Sequence, residues 1–227
     1  MPLRHPHPLK SLLLAGASGL IGTELVRQGL ALDGLDHLHA LVRRLPAGAA
    51  ADPRLQWHRV DLARPGAVPA AEAAACALGT TIKVAGSQAA FRAVDFDAVL
   101  AFARAARAAG VQRFAVVSAL GADARSGVFY SRVKGEMEEA LRELGFASLT
   151  IARPSLLAGN RAALGQPVRL GERLGLALTA PLGGLVPAAW RPIHADVVAR
   201  ALLRALTEGR PGVQVLESAQ LQKEGQS

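Results

Sequence analysis

The sequence predicts an α/β fold, in which a doubly wound parallel sheet carries helices on both faces. Short apolar segments of strand length alternate along the chain with longer segments of helical periodicity, as is typical of a parallel sheet. The glycine-rich and polar motifs described below each follow directly after a predicted strand. They would therefore meet at the carboxyl edge of the sheet, where ligands bind. We expect one domain over residues 1–227.

Six strands are predicted up to residue 155 and a seventh near the C-terminus. Their ranges are 11–16, 37–43, 55–62, 73–81, 111–120, 148–155 and 213–218. Helical patterns follow at 20–32, 88–109, 128–144 and 195–206. The second helix has an apolar stripe made of Phe91, Val94, Ala98, Phe102 and Ala105. The link between the third and fourth strands is too short for the usual intervening helix.

Composition narrows the possible functions. Cys76 is the only cysteine and lies in an apolar run, which excludes an internal disulfide and indicates a buried structural side chain. The net charge is +8, but the basic residues are scattered and aromatic residues make up 4%, so we expect no nucleic-acid partner.

The stretch 174–190 is interrupted by prolines and glycines, and is predicted to be a buried lid or pocket wall rather than a membrane span. We expect a cytoplasmic protein without a metal site, acting on a small molecule as a monomer or homodimer.

The motif "AGASGLIG" follows the first strand and opens the first helix. Its three glycines would allow a tight turn, close approach of a pyrophosphate and close packing of helix on strand. The helix N-terminus would offer N–H groups and partial positive charge to the phosphates. No Gly-Lys-Ser/Thr follows, which excludes a Walker-type loop. The predicted dinucleotide site comprises Gly16, Ser18, Gly19, Leu20, Ile21 and Gly22.

The ends of the next strands predict which nucleotide binds. Arg43 and Arg44 follow the second strand, where NAD-specific sites place an acid, so we expect a 2′-phosphate and hence NADP(H). The alternative is a pair of solvated surface arginines. Asp61, beside Leu62, could accept a hydrogen bond from the adenine amino group or could cap a helix. After the fourth strand, Leu78, Gly79 and Thr80 are predicted to approach the cofactor closely.

Tyr130 is the only tyrosine in the chain, and Lys134, one of four lysines, lies one helical turn after it. An ammonium beside the phenol stabilises the phenolate and makes it a better acid and base near neutrality. Ser118, at the end of the fifth strand, could hold a carbonyl oxygen while Tyr130 protonates it. The alternative is an incidental surface pair of tyrosine and lysine.

Together, "GASGLIG", "VVSALGA" and "YSRVK" resemble the motifs of the short-chain dehydrogenase/reductase superfamily. The stretches "CALGTT", "AAGVQRFAVVSALGA", "YSRVKGEME" and "IARPSLLAG" are similar to its atypical NAD(P)H-binding branch, which includes the Tat-interacting-protein oxidoreductase. The likeness spans roughly residues 11–207 and implies a Rossmann-type fold. It also implies that Ser118, Tyr130 and Lys134 are catalytic, that Tyr130 and Lys134 also hold the cofactor, and that Pro154 lies by the nicotinamide.

The resemblance predicts an NADP(H)-dependent oxidoreductase that acts on a small carbonyl or alcohol. The chain after the sixth strand is short, which leaves only a small C-terminal segment on the substrate side. An NADP(H)-binding redox-sensing regulatory protein without turnover is therefore the alternative. Nucleotide-sugar epimerisation or dehydration is disfavoured because a large C-terminal domain is absent from the pattern.

Overall fold

The computed structural model describes residues 8–46, 48, 51–158 and 191–225. The strands within these ranges are β1 (Ser11–Ala15), β2 (His37–Val42), β3 (Leu55–Arg59), β4 (Ala73–Cys76), β5 (Arg113–Val117), β6 (Ser148–Arg153), β7 (Leu157–Ala158), β8 (Ile193–His194) and β9 (Gly212–Glu217). Seven of them form a parallel sheet in the order β3-β2-β1-β4-β5-β6-β9, while β7 and β8 pair separately. The chain runs outward in both directions from the junction of β1 and β4. The predicted doubly wound Rossmann-type sheet is thus confirmed.

Helices cover both faces of this sheet. They are α1 (Leu20–Gly29), α2 (Ile82–Ala85), α3 (Gln88–Arg92), α4 (Val99–Ala108), α5 (Phe129–Arg142), α6 (Ala195–Glu208) and α7 (Ser218–Glu224). Leu12 and Leu14 of β1 face the core shared with α1 and α6, whereas Leu13 faces the core shared with α4 and α5. All three side chains are fully buried. Each contributes about 1.5–3 kcal/mol relative to an exposed position.

The link between β3 and β4 contains no helix, as its length predicts, and all of it lies within the described residues. The edge strand β3 and its neighbour β2 carry polar side chains on one face. His39 and His58 lie there with Nδ1 of the first 3.1 Å from Nε2 of the second. The short helices α2 and α7 and the β7–β8 pair were not predicted.

The long helix predicted at 88–109 is interrupted by a π-helical turn, Ala93–Ala98, between α3 and α4. A π turn adds a residue to the helical repeat and shifts which side chains face inward. Asp95 is consequently buried, with 1% of its surface exposed, while the predicted stripe residue Val94 is only partly buried. The π turn thus directs a carboxylate into the protein.

The predicted lid or pocket wall at 174–190 lies outside the described residues. None of the helices in the described ranges is both long and apolar enough to cross a membrane.

Candidate cofactor and active site

The loop between β1 and α1 has the geometry that its three glycines predict. Gly16 has a φ of 86°, in the left-handed region, and a Cβ there would lie 2.6 Å from the Ala77 carbonyl group. A Cβ on Gly22 would lie 2.0 Å from the Gly16 carbonyl oxygen. A Cβ on Gly19 would meet only that same oxygen, at 3.4 Å, among the described atoms within 4 Å. The loop is therefore tightly packed at Gly16 and Gly22 and open at Gly19.

The N-terminal end of α1 is suited to an anion. Gly19 occupies its N-cap position without a side-chain cap, and the first turn carries no acidic residue. Such a helix end offers N–H groups and a partial positive charge. Ser18 is exposed beside it, whereas Leu20 and Ile21 bury their side chains and could reach a ligand only through their backbone.

Arg43 and Arg44 lie directly after β2 and both are exposed. Strand β2 pairs with β1 in parallel, with Leu41 opposite Ala15, so the two arginines lie at the edge that carries the glycine loop. An exposed guanidinium pair at this edge fits a phosphate group.

Asp61 lies after β3 and is exposed, while Leu62 is buried. Its Oδ1 atom accepts a hydrogen bond from the Ala63 N–H group at 3.0 Å. The carboxylate therefore caps a turn rather than a helix, which corrects the capping alternative. Its contact with adenine stays a prediction.

The segment after β4 connects the glycine loop to the next helices. Leu78 is buried, and its backbone nitrogen lies where a Cβ on Gly16 would clash, at 2.8 Å. The Thr80 N–H group donates to Asp95 Oδ2 at 2.8 Å. Thr81 caps α2 by accepting from the Val84 N–H group at 3.2 Å. The predicted segment Leu78–Thr80 thus lies between the phosphate loop and the buried carboxylate.

Tyr130 lies in the first turn of α5 and is half-buried. Its ring centroid is 5.3 Å from that of Phe91, with the two rings tilted by 39°. This packing fixes the ring against α3 and leaves part of the side chain exposed. Lys134 follows on the same face, one turn deeper into the protein.

Lys134 is 3% exposed, and its Nζ atom lies 2.7 Å from Asp95 Oδ1. Burial alone would lower the pKa of Lys134, but the Asp95 carboxylate, aided by Tyr130, more than offsets this and raises it above its usual value. The lysine therefore stays charged, and its charge is paired with a carboxylate that the sequence did not single out.

Ser118 follows β5 and is 5% exposed. Its Oγ atom lies 2.5 Å from Oε1 of Glu138, a residue with no exposed surface. Glu138 also accepts two hydrogen bonds from Arg153, at 2.9 Å from Nε and 2.7 Å from Nη2. The hydrogen bond of Ser118 therefore runs to Glu138 and not to Tyr130.

Arg153 and Pro154 end β6 at the same edge. The hydrogen bonds that Arg153 donates to Glu138 raise the pKa of Arg153, and its Nη1 atom also donates to Glu217 at 3.0 Å. The guanidinium group is thus used in a structural ion-pair network. Pro154 is buried, and its carbonyl oxygen accepts from the Leu120 N–H group at 2.9 Å, which ties the loops after β5 and β6 together.

Cys76, at the end of β4, is buried as its apolar run predicts, and burial raises its pKa to about 12. The thiol is therefore neutral near pH 7 and a poor nucleophile. Across the described ranges, no group of three or more His, Cys, Asp or Glu side chains is arranged to hold a metal ion.

Two residues that the sequence analysis missed are Asp95 and Glu138. Asp95 pairs with the predicted catalytic lysine, and Glu138 pairs with the predicted catalytic serine. The position of Glu138 could have been predicted from spacing. Tyr130, Lys134 and Glu138 are four residues apart and therefore share one helix face.

This site belongs to a nucleotide-binding α/β protein, and comparison with known families agrees. A family model described as NAD(P)H-binding matches residues 16–179, which is most of the chain. The chain therefore belongs to the NAD(P)H-binding family. The resemblance to an atypical short-chain dehydrogenase/reductase is confirmed at this level, whereas the narrower likeness to the Tat-interacting-protein oxidoreductase rests on sequence motifs alone.

Curated relatives carry the name FMP52. The protein fmp52, mitochondrial, of Emericella nidulans is 32% identical over 161 residues, covering 67% of this chain and 69% of the relative. The Aspergillus fumigatus protein of that name is 30% identical over 205 residues and 87% of each chain. The prediction of a cytoplasmic location is wrong by this comparison, because these relatives are named as mitochondrial proteins.

Solved structures with the same fold include complexes with NAD. The Bordetella bronchiseptica enzyme WbmF in complex with NAD+ superposes with a TM-score of 0.66 at 14% identity, covering 95% of this chain and 77% of that one. The UDP-Glc/GlcNAc 4-epimerase of Campylobacter jejuni gives 0.66 at 15% identity, with 94% and 82% coverage. MoeE5 in complex with UDP-glucose and NAD gives 0.65 at 19% identity, with 91% and 75% coverage. At these identities the likeness establishes the fold.

Proposed function

We propose that the protein is an NADP(H)-dependent oxidoreductase of the atypical short-chain type, acting on a small carbonyl or alcohol. One observation carries this proposal: Tyr130 lies one turn from a buried, charged Lys134 at the cofactor edge of the sheet. A Cβ on Gly79 would come within 4.0 Å of Lys134 Nζ, so the lysine lies beside the segment packed on the glycine loop. This proximity supports one continuous site that includes the acid/base pair and the nucleotide loop.

The residues present fit a dinucleotide. Gly19 leaves space at the uncapped start of α1, where backbone N–H groups would hold the pyrophosphate. Asp61 and Leu62 would bind the adenine, and Pro154 would lie by the nicotinamide. When bound, this cofactor supplies or accepts a hydride.

Arg43 and Arg44 support NADP(H) over NAD(H). Their exposed guanidinium groups would bind the 2′-phosphate, and they occupy the two positions directly after β2, where a carboxylate would repel it. The WbmF and MoeE5 structures contain NAD, so a preference for NADP(H) would be a property of the present chain.

In reduction, Tyr130 would donate its phenolic proton to the carbonyl oxygen, and in oxidation it would accept the proton from the alcohol. Lys134 would hold the nicotinamide ribose and favour the phenolate through its charge. Ser118 would orient the substrate oxygen. We further propose a small-molecule substrate and a monomer or homodimer without a nucleic-acid or membrane partner.

A redox-sensing protein that binds NADP(H) without turnover is the second candidate. It is favoured by the hydrogen bond between Ser118 and Glu138, because a serine committed to a carboxylate is not free to donate to a substrate carbonyl. Under this alternative the cofactor site is the same and only the chemistry is absent.

The purified protein should be titrated with NADPH and NADH, and then incubated with NADPH and a panel of small aldehydes and ketones. We expect tighter binding of NADPH and consumption of NADPH with at least one carbonyl. Tight binding without consumption across the panel favours the sensor. Absence of binding to either cofactor contradicts both candidates.

A further inference from the structure

Asp95 is an unusual group to bury in this fold. It lies in the π turn between α3 and α4, and only 1% of its surface is exposed. A buried carboxylate is costly unless it is paired and hydrogen-bonded. Its burial therefore requires a specific set of partners.

Those partners come from two separate segments. Asp95 Oδ1 lies 2.7 Å from Lys134 Nζ on α5, and Oδ2 accepts from the Thr80 N–H group after β4 at 2.8 Å. One carboxylate thus connects the helix with the predicted acid/base pair to the loop predicted to approach the cofactor. Both contacts depend on the π turn, because the π turn directs the Asp95 side chain into the protein.

Gly79 lies next to this ion pair. A Cβ on Gly79 would lie 3.4 Å from Asp95 Oδ1 and 4.0 Å from Lys134 Nζ. Gly79 itself is exposed. The backbone of the exposed Gly79 therefore lies directly beside the buried pair.

We propose that Asp95 is a positioning residue of the cofactor site, fixing the ammonium group of Lys134 relative to the Thr80 backbone. This inference rests on the proposed binding of NADP(H), because Lys134 is the group that would hold the ribose. Asp95 acts through the lysine and through the loop, without touching the cofactor itself.

The pairing has a consequence for pH. Asp95 from the π turn, Tyr130 from α5 and Cys76 from β4 all raise the pKa of Lys134, against the lowering effect of burial. With Asp95 present, the lysine stays charged up to alkaline pH. With an amide at position 95 the largest contribution that opposes burial is lost, and burial then lowers the pKa of Lys134. The lysine would then lose its proton as the pH rises.

The test measures the affinity for NADPH between about pH 7 and pH 10, where a lysine with an ordinary or raised pKa keeps its charge for most of the range. For wild-type protein we expect the titration of Lys134 to change the NADPH affinity little over this pH range. For Asp95→Asn we expect weaker binding at every pH and a further loss of about tenfold or more toward pH 10, as the unpaired lysine is neutralised. The matched control is Asp97→Asn, because Asp97 lies two residues away in the same turn and is exposed.

Asp95→Glu separates position from charge, and it is also the variant to use if Asp95→Asn does not fold. It keeps the carboxylate but moves it by one methylene, so we expect the flat pH profile of wild type with a reduced affinity. Wild-type affinity in Asp95→Glu, or wild-type affinity at pH 10 in folded Asp95→Asn, overturns the positioning role. Failure of wild-type protein to bind NADPH would instead contradict the proposed function.

Discussion

Ser118 donates a hydrogen bond to Glu138 across 2.5 Å of buried space. The direction follows from chemistry, because a carboxylate held by two hydrogen bonds from Arg153 is acceptor-only and the serine must supply the proton. Because its one proton is used in this bond, Ser118 Oγ can form further hydrogen bonds only as an acceptor. In this arrangement the serine can receive a hydrogen bond from a hydroxyl group, but it must leave Glu138 before it can donate to a carbonyl.

Glu138→Gln should destabilise the protein by about 3 kcal/mol, because it leaves Arg153 and Arg142 without their buried carboxylate partner. The measurement is the free energy of unfolding by denaturant. Glu139→Gln, an exposed neighbour, should change it by less than about 0.5 kcal/mol. Equal stability of the two variants would show that the Glu138 network does not hold the helix to β6.

Glycine substitutions in the phosphate loop should separate folding from binding. Gly19→Ala adds a Cβ with only one described neighbour, at 3.4 Å, so the melting temperature should change little while NADPH affinity falls at least about tenfold. Gly22→Ala places a Cβ 2.0 Å from the Gly16 carbonyl oxygen and should lower the melting temperature clearly. Undiminished NADPH binding in Gly19→Ala would indicate that the phosphates do not bind at this loop.

Replacing Arg43 and Arg44 together with alanine should weaken NADPH binding about tenfold or more, with NADH binding almost unchanged, since only NADPH carries the 2′-phosphate. Isothermal titration with both cofactors measures this. Arg104→Ala, an exposed arginine on α4, is the control for general charge. Equal losses for both cofactors, or a wild-type preference for NADH, would contradict a 2′-phosphate site at this pair.

Acidification should destabilise the edge of the sheet at His39. Burial, followed by the nearby His58 and His37, lowers the pKa of His39 in the folded protein. The charged form is thus disfavoured in the folded state, so stability is lost as the pH falls from about 6.5, the unfolded value, toward the lower folded value. On acidification, the melting temperature of His39→Gln should fall less than that of wild type. The melting temperature of His194→Gln, a change at an exposed position, should fall as much as that of wild type. An identical pH profile for His39→Gln and wild type would refute the effect.

The sheet and the glycine loop could be predicted because their signals are local. Strand-length apolar runs gave all seven strands of the main sheet, and the spacing of Gly16, Gly19 and Gly22 depends on contacts within one loop and the adjacent strand. The missing helix between β3 and β4 followed from segment length alone.

The buried carboxylates could not be predicted in this way, because their partners lie far away in the chain. A regular helical period places Val94 in the apolar stripe, and only the π turn brings Asp95 inward to Lys134. Glu138 on α5 contacts Ser118, which follows β5, and Arg153, which ends β6. The periodicity of a single helix cannot predict contacts with residues so far away in the chain. The sequence therefore predicts Ser118, Tyr130 and Lys134 as candidate catalytic residues, whereas the carboxylates that contact Ser118 and Lys134 are visible only in the fold.

Tyr130→Phe tests the proposed chemistry most directly. The variant removes one oxygen and keeps the ring against Phe91, and Phe129→Leu serves as a neighbouring control. NADPH binding and NADPH-dependent carbonyl reduction should be measured for both variants and for wild type. We expect Tyr130→Phe to bind NADPH like wild type and to lose at least about 100-fold in turnover, the contribution of a positioned general acid. Unchanged turnover in Tyr130→Phe would contradict a catalytic role for the only tyrosine in the chain.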